Sequence, residues 1–449
     1  MNTGPRPNIL VIMTDQQSSH MLGCAGTPHV RTPHLDALAE EGTRFERAYV
    51  TFPLCVPSRS SMMTGMTPHE LGVLSNAPAR EPDEIQAPES LAHLMRDAGY
   101  RCGHAGKWHA TRASAETADG FEWLRDFGDA PLVSGITDFL GDQAHDDRPF
   151  FLVASFDDPH TICEVARNQP SFYGELPTPD LASAPNLPPN FGSQPFEPEA
   201  LRVEQAAGAA MYGTAAYTPE DWRLYRQAYA HLVERADARV GEVLATLQRT
   251  GFAADTLVIF TSDHGDGDAA HAWNQKTALF EETIRVPLIM RWPGTVAQGV
   301  TQPQLVSVGL DLLPTICEAA GIEVPHHISG RSLLSFDESD SARDHVVVET
   351  GFGPGARPTT SGRAVVGERY KYVVYSWGRH REQLFDLLKD PGEIVNLAVE
   401  ARHHDLLEQN RRTLLRWCRE TDDQMMLKRL VLPADTTDAV RGDIYAVPY

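Results

Sequence analysis

The segment from Cys55 to Gly65, CVPSRSSMMTG, brings a nucleophile, a helix start and a cation within five residues. Pro57 suits the first turn of a helix, where its missing N–H costs nothing. Cys55 is therefore expected at a helix N-terminus, where free N–H groups and the dipole favour an anion. Arg59 adds a planar guanidinium that fits an oxyanion. The spacing predicts a nucleophilic Cys55 in an anion-binding pocket, and the alternative is a buried cysteine beside a turn.

Three apolar runs, each typical of a buried strand, end in side chains that can bind a metal or an anion. They are residues 8–13 before Asp15 and Gln16, residues 149–156 before His160, and residues 255–261 before Asp263 and His264. Ligands bind at the carboxyl ends of strands in open α/β sheets. Asp15, Asp263 and His264 together would form an oxygen-rich site with one imidazole, which suits a hard divalent cation. Taken alone, Asp15 could equally cap a turn.

Two further pairs of basic side chains could assist such a site. Lys107 and His109 lie two residues apart, so in an extended segment both would face the same side. There they could hold an oxyanion and move a proton, although a solvated lysine beside an aromatic is the alternative. His271 and Lys276 follow the third apolar run, and a solvated loop is the alternative for them.

The composition excludes several classes of protein. The chain has 449 residues and a formal net charge of −22, which disfavours binding to nucleic acid or an anionic membrane. We expect no signal peptide and no membrane span, because no apolar stretch has the required length. Six cysteines are scattered without zinc-like spacing, which suits a reducing compartment and predicts a cytoplasmic location.

The remaining chain predicts a long helix, an insertion and a smaller C-terminal part. Residues 222–250 carry apolar side chains at helical spacing. Residues 161–221 contain nine prolines, which exclude regular helix or central strand over most of the span. We expect this segment to cover the active edge of the sheet and shape a substrate pocket, with a plain surface excursion as the alternative. We divide the chain into a catalytic domain, 1–345, and a C-terminal subdomain, 346–449, with short hairpin strands.

The order of these motifs resembles that of the type I sulfatases, within the alkaline-phosphatase-like superfamily. The matching segments are Cys55-x-Pro57-Ser58-Arg59-x-x-x-x-Thr64-Gly65, Gly106-Lys107-Trp108-His109, Pro159-His160, Asp263-His264-Gly265-Asp266 with His271 and Lys276 beyond it, and Leu384-Phe385-Asp386-Leu387 to Asn396-Leu397. The resemblance implies an α/β sandwich with a large, mixed, mostly parallel sheet between helices. It also implies a small C-terminal antiparallel sheet with a helix.

The resemblance further implies a mechanism. A formylglycine-generating enzyme would oxidise Cys55, and the hydrated formylglycine would attack the sulfur of a small sulfate ester or sulfamate. One divalent ion would be held by Asp15, Gln16, Cys55, Asp263 and His264. The catalytic set would be Cys55, Arg59, Lys107, His109, His160, His271 and Lys276. In this set His271 protonates the leaving alcohol, His109 takes a proton as the intermediate collapses, and the lysines and His160 hold the sulfuryl oxygens.

Three positions depart from the family pattern. Many sulfatases have Asp where this chain has Gln16, Asn where it has His264, and Pro where it has Ile162. Ca²⁺ is our first choice of ion, but the neutral Gln16 removes one negative charge, which weakens the case for Ca²⁺ and makes Mn²⁺ or Mg²⁺ the alternatives. The same variant occurs in phosphonate monoester hydrolases, which makes a phosphonate monoester or phosphodiester hydrolase the nearest alternative. A non-catalytic anion-binding protein is the more distant one.

Overall fold

The computed structural model describes residues 6–77, 90–110, 120–125, 127–334, 343–353 and 358–446. Twelve strands lie in these ranges: β1 (Asn8–Asp15), β2 (Thr43–Tyr49), β3 (Arg101–Gly106), β4 (Glu122–Arg125), β5 (Phe150–Pro159), β6 (Thr256–Ser262), β7 (Leu288–Arg291), β8 (Val300–Ser307), β9 (His345–Phe352), β10 (Thr360–Gly367), β11 (Tyr370–Tyr375) and β12 (Glu382–Asp386). The α-helices of the same ranges are α1 (Pro33–Glu40), α2 (Cys55–Thr64), α3 (Leu91–Asp97), α4 (Asp129–Gln143), α5 (Ile162–Ala166), α6 (Glu199–Tyr212), α7 (Pro219–Arg249), α8 (Glu281–Ile284), α9 (Val308–Ala320), α10 (His404–Glu420), α11 (Gln424–Leu427) and α12 (Asp438–Tyr445).

The large sheet has the strand order β4-β3-β5-β1-β6-β7-β2-β8. Only β7 runs against its neighbours, so the described sheet is mixed and mostly parallel. The central β1 pairs with β5 on one side and β6 on the other, with Asp15 level with Pro159 and Thr14 level with Ser262. The carboxyl ends of three parallel strands therefore meet at one edge, which confirms the predicted fold class.

The side chains of β1 alternate between two cores because a strand sends successive residues to opposite faces. Ile9 and Val11 join the core that α2, α3 and α9 complete. Leu10 and Ile12 join the core under α1, α4 and α7. Burial on both faces explains why β1 is apolar throughout instead of alternating with polar residues.

The small sheet is antiparallel, in the order β12-β11-β10-β9. Its Val365, Val374 and Leu384 pack against Leu407 and Leu414 of α10. The predicted C-terminal sheet with a helix is thus confirmed. The division of the chain between residues 345 and 346 stays a prediction.

Most of the segment 161–221 is free of regular helix and strand, as predicted, but the segment also contains a long helix. Its prolines do keep residues 168–198 irregular, but α6 forms a fourteen-residue helix at Glu199–Tyr212. The reason is that Pro198 and Pro219 flank this stretch and none lies within it. Gly213, with φ of 76°, ends the helix.

No helix in the described parts of the chain is both long enough and apolar enough to cross a bilayer.

Candidate active site

Cys55 is the first residue of α2, as its sequence context predicts. Leu54 before it is extended, and Gly65 ends the helix in the left-handed conformation with φ of 68°. Pro57 is the third helical residue and not the first, so the helix begins two residues earlier than the proline suggests. This start places the Cys55 side chain at the N-terminus of a buried helix, below the carboxyl edge of the sheet.

The sulfur of Cys55 lies among cationic and metal-ligating groups. Lys276 Nζ donates to Cys55 Sγ at 3.2 Å, His264 Nε2 is 3.3 Å away, and Asp15 Oδ1 is 3.9 Å away. Burial and Asp15 raise the pKa of the Cys55 thiol, but Lys276, His264 and Lys107 outweigh them and hold it well below its ordinary value. The site therefore stabilises negative charge at position 55.

Arg59 lies one turn into α2 and is 1% exposed. Its Nε donates to Asp263 Oδ2 at 2.7 Å and its Nη2 to Asp15 Oδ2 at 3.0 Å. Its Nη1 donates to Ser155 Oγ at 2.7 Å and to the Lys107 carbonyl at 2.9 Å. The guanidinium therefore donates to the carboxylates of Asp15 and Asp263 and fixes their positions. It is not free to bind a substrate oxyanion.

Lys107 directly follows β3, and its ammonium group bridges two carboxylates. Its Nζ is 2.8 Å from Asp15 Oδ2 and 2.9 Å from Asp157 Oδ1. Burial raises the pKa of Asp15, but Lys107, His160 and further cations bring it well below its usual range. Burial and the nearby Lys276 and Lys107 hold the pKa of His160 well below its usual value, so this imidazole is neutral at pH 7.

Four of the five predicted metal ligands form one compact cluster. One donor atom from each of Asp15, Cys55, Asp263 and His264 lies within 4.8 Å of the others, and all four residues are buried. Two carboxylates with an imidazole suit a hard or borderline divalent cation, so the residues fit the metal that the resemblance implies. The fifth, Gln16, joins the cluster through its backbone N–H, which donates to Asp263 Oδ1 at 3.1 Å.

His109 does not lie beside Lys107 as predicted. The side chain of Lys107 is buried, whereas His109 is exposed and makes no hydrogen bond to a described residue. The prediction assumed an extended segment, but the chain leaves β3 at Gly106 with φ of 91° and reaches His109 with φ of 41°. The two side chains therefore do not share a face.

His271 also lies apart from the Cys55 cluster. Its ring stacks on Phe280 with centroids 3.7 Å apart, and it groups with Glu282 and Glu393. Burial is the main cause that lowers the pKa of His271 to about 4. Lys276, by contrast, contacts Cys55 directly. The sequence suggested His271 and Lys276 as a pair, but their side chains lie in different places.

Sequence reasoning missed three polar residues that support the site. Asp157 accepts a hydrogen bond from Lys107. The side-chain nitrogen Nε2 of Gln16 donates to Asp266 Oδ2 at 2.7 Å and to the side-chain oxygen Oε1 of Gln275 at 3.2 Å. Asp157 gave a usable signal, because it follows the apolar run of β5. Asp266 belongs to the motif that begins at Asp263, but its contact with Gln16 was not foreseen, and Gln275 is recognisable only from its contacts.

Comparisons with known proteins agree with this geometry. A family model described as "Sulfatase" matches residues 7–322, and one described as "N-sulphoglucosamine sulphohydrolase, C-terminal" matches residues 269–420. A delta 4,5-hexuronate-2-O-sulfatase of Bacteroides thetaiotaomicron is 31% identical, over 94% of this chain and 91% of its own. A choline-sulfatase of Rhizobium meliloti is 29% identical, over 90% and 84%.

Two solved structures show the same architecture. One described as a 2-O GAG sulfatase superposes with a TM-score of 0.81 at 30% identity, covering 97% of this chain and 96% of that one. The phosphonate monoester hydrolase of Agrobacterium radiobacter superposes with a TM-score of 0.75 at 21% identity, covering 93% and 96%. The second likeness shows the fold alone.

Proposed function

This chain belongs to the sulfatase family and is a sulfuric ester hydrolase, as its motifs predicted, and we propose that it cleaves a small sulfate ester with a nucleophile derived from Cys55. The substrate class is a sulfated saccharide or an alkyl or aryl sulfate. The observation that carries this proposal is the placement of Cys55 between Lys276 and the metal-ligand cluster.

We further propose that Cys55 acts after oxidation to formylglycine, which a maturation enzyme would install. The hydrate of that aldehyde would supply an oxygen nucleophile at the position now held by the sulfur. A divalent ion held by Asp15, Gln16, Asp263, His264 and position 55 would supply Lewis acidity there. Ca²⁺ is our first choice, with Mn²⁺ or Mg²⁺ as alternatives, because the donors are mostly oxygen atoms.

The chain's own cations account for binding the sulfuryl group. Lys107 Nζ lies 2.8 Å from Asp15 Oδ2, Lys276 Nζ lies 3.2 Å from Cys55 Sγ, and both lysines lower the pKa of His160. Positive groups fixed in a buried site stabilise developing negative charge without reorganisation.

We assign the proton for the leaving group to His160 instead of His271. The side chain of His160 is 24% exposed and so can meet a substrate, whereas His271 is buried against Phe280. Lys107 and Lys276 lower the pKa of His160, and an anion bound between those lysines would offset them and favour protonation. Proton uptake by His109 stays a prediction, because His109 makes no hydrogen bond to a described residue.

A phosphonate monoester or phosphodiester hydrolase using the same residues remains the second candidate. Its specific support is the neutral Gln16 beside Asp15, which leaves the metal site with fewer negative charges than two adjacent aspartates would give. The cytoplasmic location likewise stays a prediction from the sequence.

The test combines mass spectrometry with parallel assays. Protein co-expressed with a formylglycine-generating enzyme is digested, and the peptide containing Cys55 is weighed. The same preparation is assayed on aryl sulfate, aryl phosphonate and phosphodiester substrates by kcat/KM, with Cys55→Ala as the control. Formylglycine with a preference for sulfate supports the proposal. A phosphonate preference supports the second candidate, and full activity of Cys55→Ala overturns both.

A further inference from the structure

The side-chain amide nitrogen of Gln16 is held by two acceptors, Asp266 and Gln275. Gln16 follows Asp15 at the end of β1, is fully buried and has φ of 72°. Its Nε2 donates to Asp266 Oδ2 at 2.7 Å and to Gln275 Oε1 at 3.2 Å. Both hydrogens of the amide therefore have a partner, and the amide oxygen has a long contact of 3.9 Å from Cys163 Sγ, which leaves it a lone pair for another ligand.

Asp266 is fixed by a full set of donors. The Tyr225 hydroxyl contacts both of its oxygens at 2.9 Å. The backbone N–H of Asp268 donates to Oδ1 at 2.8 Å, and that of Gln275 donates to Oδ2 at 3.1 Å. An ionised carboxylate can only accept hydrogen bonds. An amide that faces Asp266 must therefore present its NH₂ group and not its oxygen.

The second acceptor is the side-chain oxygen of Gln275. The Cys163 thiol donates to Gln275 Oε1 at 2.9 Å, and Cys163 is buried beside it. The same oxygen faces Gln16, while the NH₂ group of Gln275 has no hydrogen-bond partner among the described residues. The two partners of Gln16 Nε2 thus impose the same orientation on its amide.

The orientation of the Gln16 amide matters because the backbone of Gln16 also contacts the ligand cluster. Its backbone N–H donates to Asp263 Oδ1, so the residue is tied to a carboxylate of the cluster. A cation is attracted by an amide oxygen and repelled by an amide NH₂ group. We propose that Asp266 is a positioning residue, which orients Gln16 so that its amide oxygen faces the cation. This inference rests on the metal site of the proposed function and not on the identity of the ester.

The decisive experiment is a double-variant cycle on metal affinity. Full-length protein is stripped with a chelator, and Mn²⁺ and Ca²⁺ are titrated separately by calorimetry, with thermal unfolding measured on each variant. Gln16→Glu places a carboxylate against that of Asp266, so we expect affinity to fall about tenfold despite the added charge. Asp266→Asn should also weaken binding, because the amide of Gln16 can then turn.

Combining the two changes gives the result that a structural role would not produce. In Gln16→Glu with Asp266→Asn, the new amide donates to the new carboxylate, which can then turn its other oxygen to the cation. We expect the double variant to bind metal more tightly than either single variant. Additive losses would overturn the inference.

Two further variants distinguish a specific effect on metal affinity from a general effect on folding. Tyr225→Phe removes a hydrogen bond from Asp266 without touching Gln16, and should leave metal affinity within about twofold. Gln275→Met keeps Asp266 and its other partners, and should weaken binding severalfold by removing one acceptor. Unchanged affinity in Gln275→Met counts against the inference. Wild-type protein that binds neither ion would instead overturn the metal site itself.

Discussion

Lys276 Nζ lies 3.2 Å from Cys55 Sγ, although the two residues are 221 positions apart in the chain. The lysine is 8% exposed, and Cys55 and Asp15 raise its pKa against the opposing effect of burial. The ammonium therefore stays charged in a buried site. In the proposed function it would provide a positive group beside the nucleophile and the sulfuryl oxygens.

The first prediction concerns this ammonium. Lys276→Met keeps the length of the side chain and removes the charge, so kcat on an aryl sulfate should fall about 10²- to 10³-fold, the effect of losing one oxyanion-stabilising group. The measurement is steady-state kinetics on formylglycine-containing protein.

The matched control for Lys276 is Lys371, a buried lysine that pairs with Glu281 and Glu393. Lys371→Met removes the cation between these two buried carboxylates and should lower stability by roughly 3 to 5 kcal/mol. Its kcat per folded molecule should be unchanged. Equal losses of kcat in both variants would show that the effect of Lys276 is structural.

The second prediction concerns the close approach of backbone at Gly265. A Cβ atom there would lie 1.9 Å from the Glu282 carbonyl oxygen and 2.9 Å from Ser18 Oγ. A backbone atom cannot move aside, so Gly265→Ala should destabilise the protein by about 3 kcal/mol and reduce its metal content.

The control for this variant is Gly208 in α6, which has nothing within 4 Å of its Cβ position. Gly208→Ala should therefore stabilise by about 0.5 to 1 kcal/mol. Urea unfolding and metal analysis check both variants.

The third prediction concerns the dependence of stability on pH. His69 Nδ1 lies 2.7 Å from Glu349 Oε1, and its Nε2 lies 3.0 Å from the Thr421 carbonyl. Burial lowers the pKa of His69, but Glu349 outweighs it and raises the pKa to about 9. The unfolded value is near 6.5. The stabilisation is therefore complete below pH 6.5 and is lost as the pH rises through 9.

The comparison of wild type with His69→Gln isolates this contribution. The difference in unfolding free energy should be about 3 kcal/mol larger at pH 6 than at pH 10, from a shift of roughly 2.5 pKa units. Urea unfolding at several pH values gives this number. A difference that does not change with pH would mean that His69 is neutral in the folded protein.

Much of the fold and half of the site follow from the sequence for a simple reason. Parallel strands that are buried on both faces leave continuous apolar runs, and their carboxyl ends must meet at one edge. Asp15 and Asp263 are therefore predictable as neighbours. Helix α2 is also predictable, because Pro57 and Gly65 mark its first and last turns.

The loop after β6 could not be predicted in the same way. It contains six non-glycine residues with positive φ: Asp268, Ala269, His271, Ala272, Gln275 and Thr277. Such conformations are held by the surrounding structure and not by local preference. The sequence shows that His271 and Lys276 are five residues apart, but not that the backbone between them reverses. The same limit hides the role of Asp266, which is defined only by its donors.

The last prediction distinguishes His160 from His271 as the source of the leaving-group proton. A general acid matters most when the leaving group is a poor one, so removing it should harm an alkyl sulfate far more than an activated aryl sulfate. For His160→Gln we expect kcat on an alkyl sulfate to fall about 10²- to 10⁴-fold, with a much smaller loss on 4-nitrophenyl sulfate.

His271→Gln should behave differently, because His271 contacts Phe280 and Asn190 and no residue of the Cys55 cluster among those described. We expect it to lower thermal stability and to reduce kcat on both substrates by the same small factor. The readout is the ratio of the two kcat values for each variant. A ratio that changes in His271→Gln and not in His160→Gln would return the role to His271.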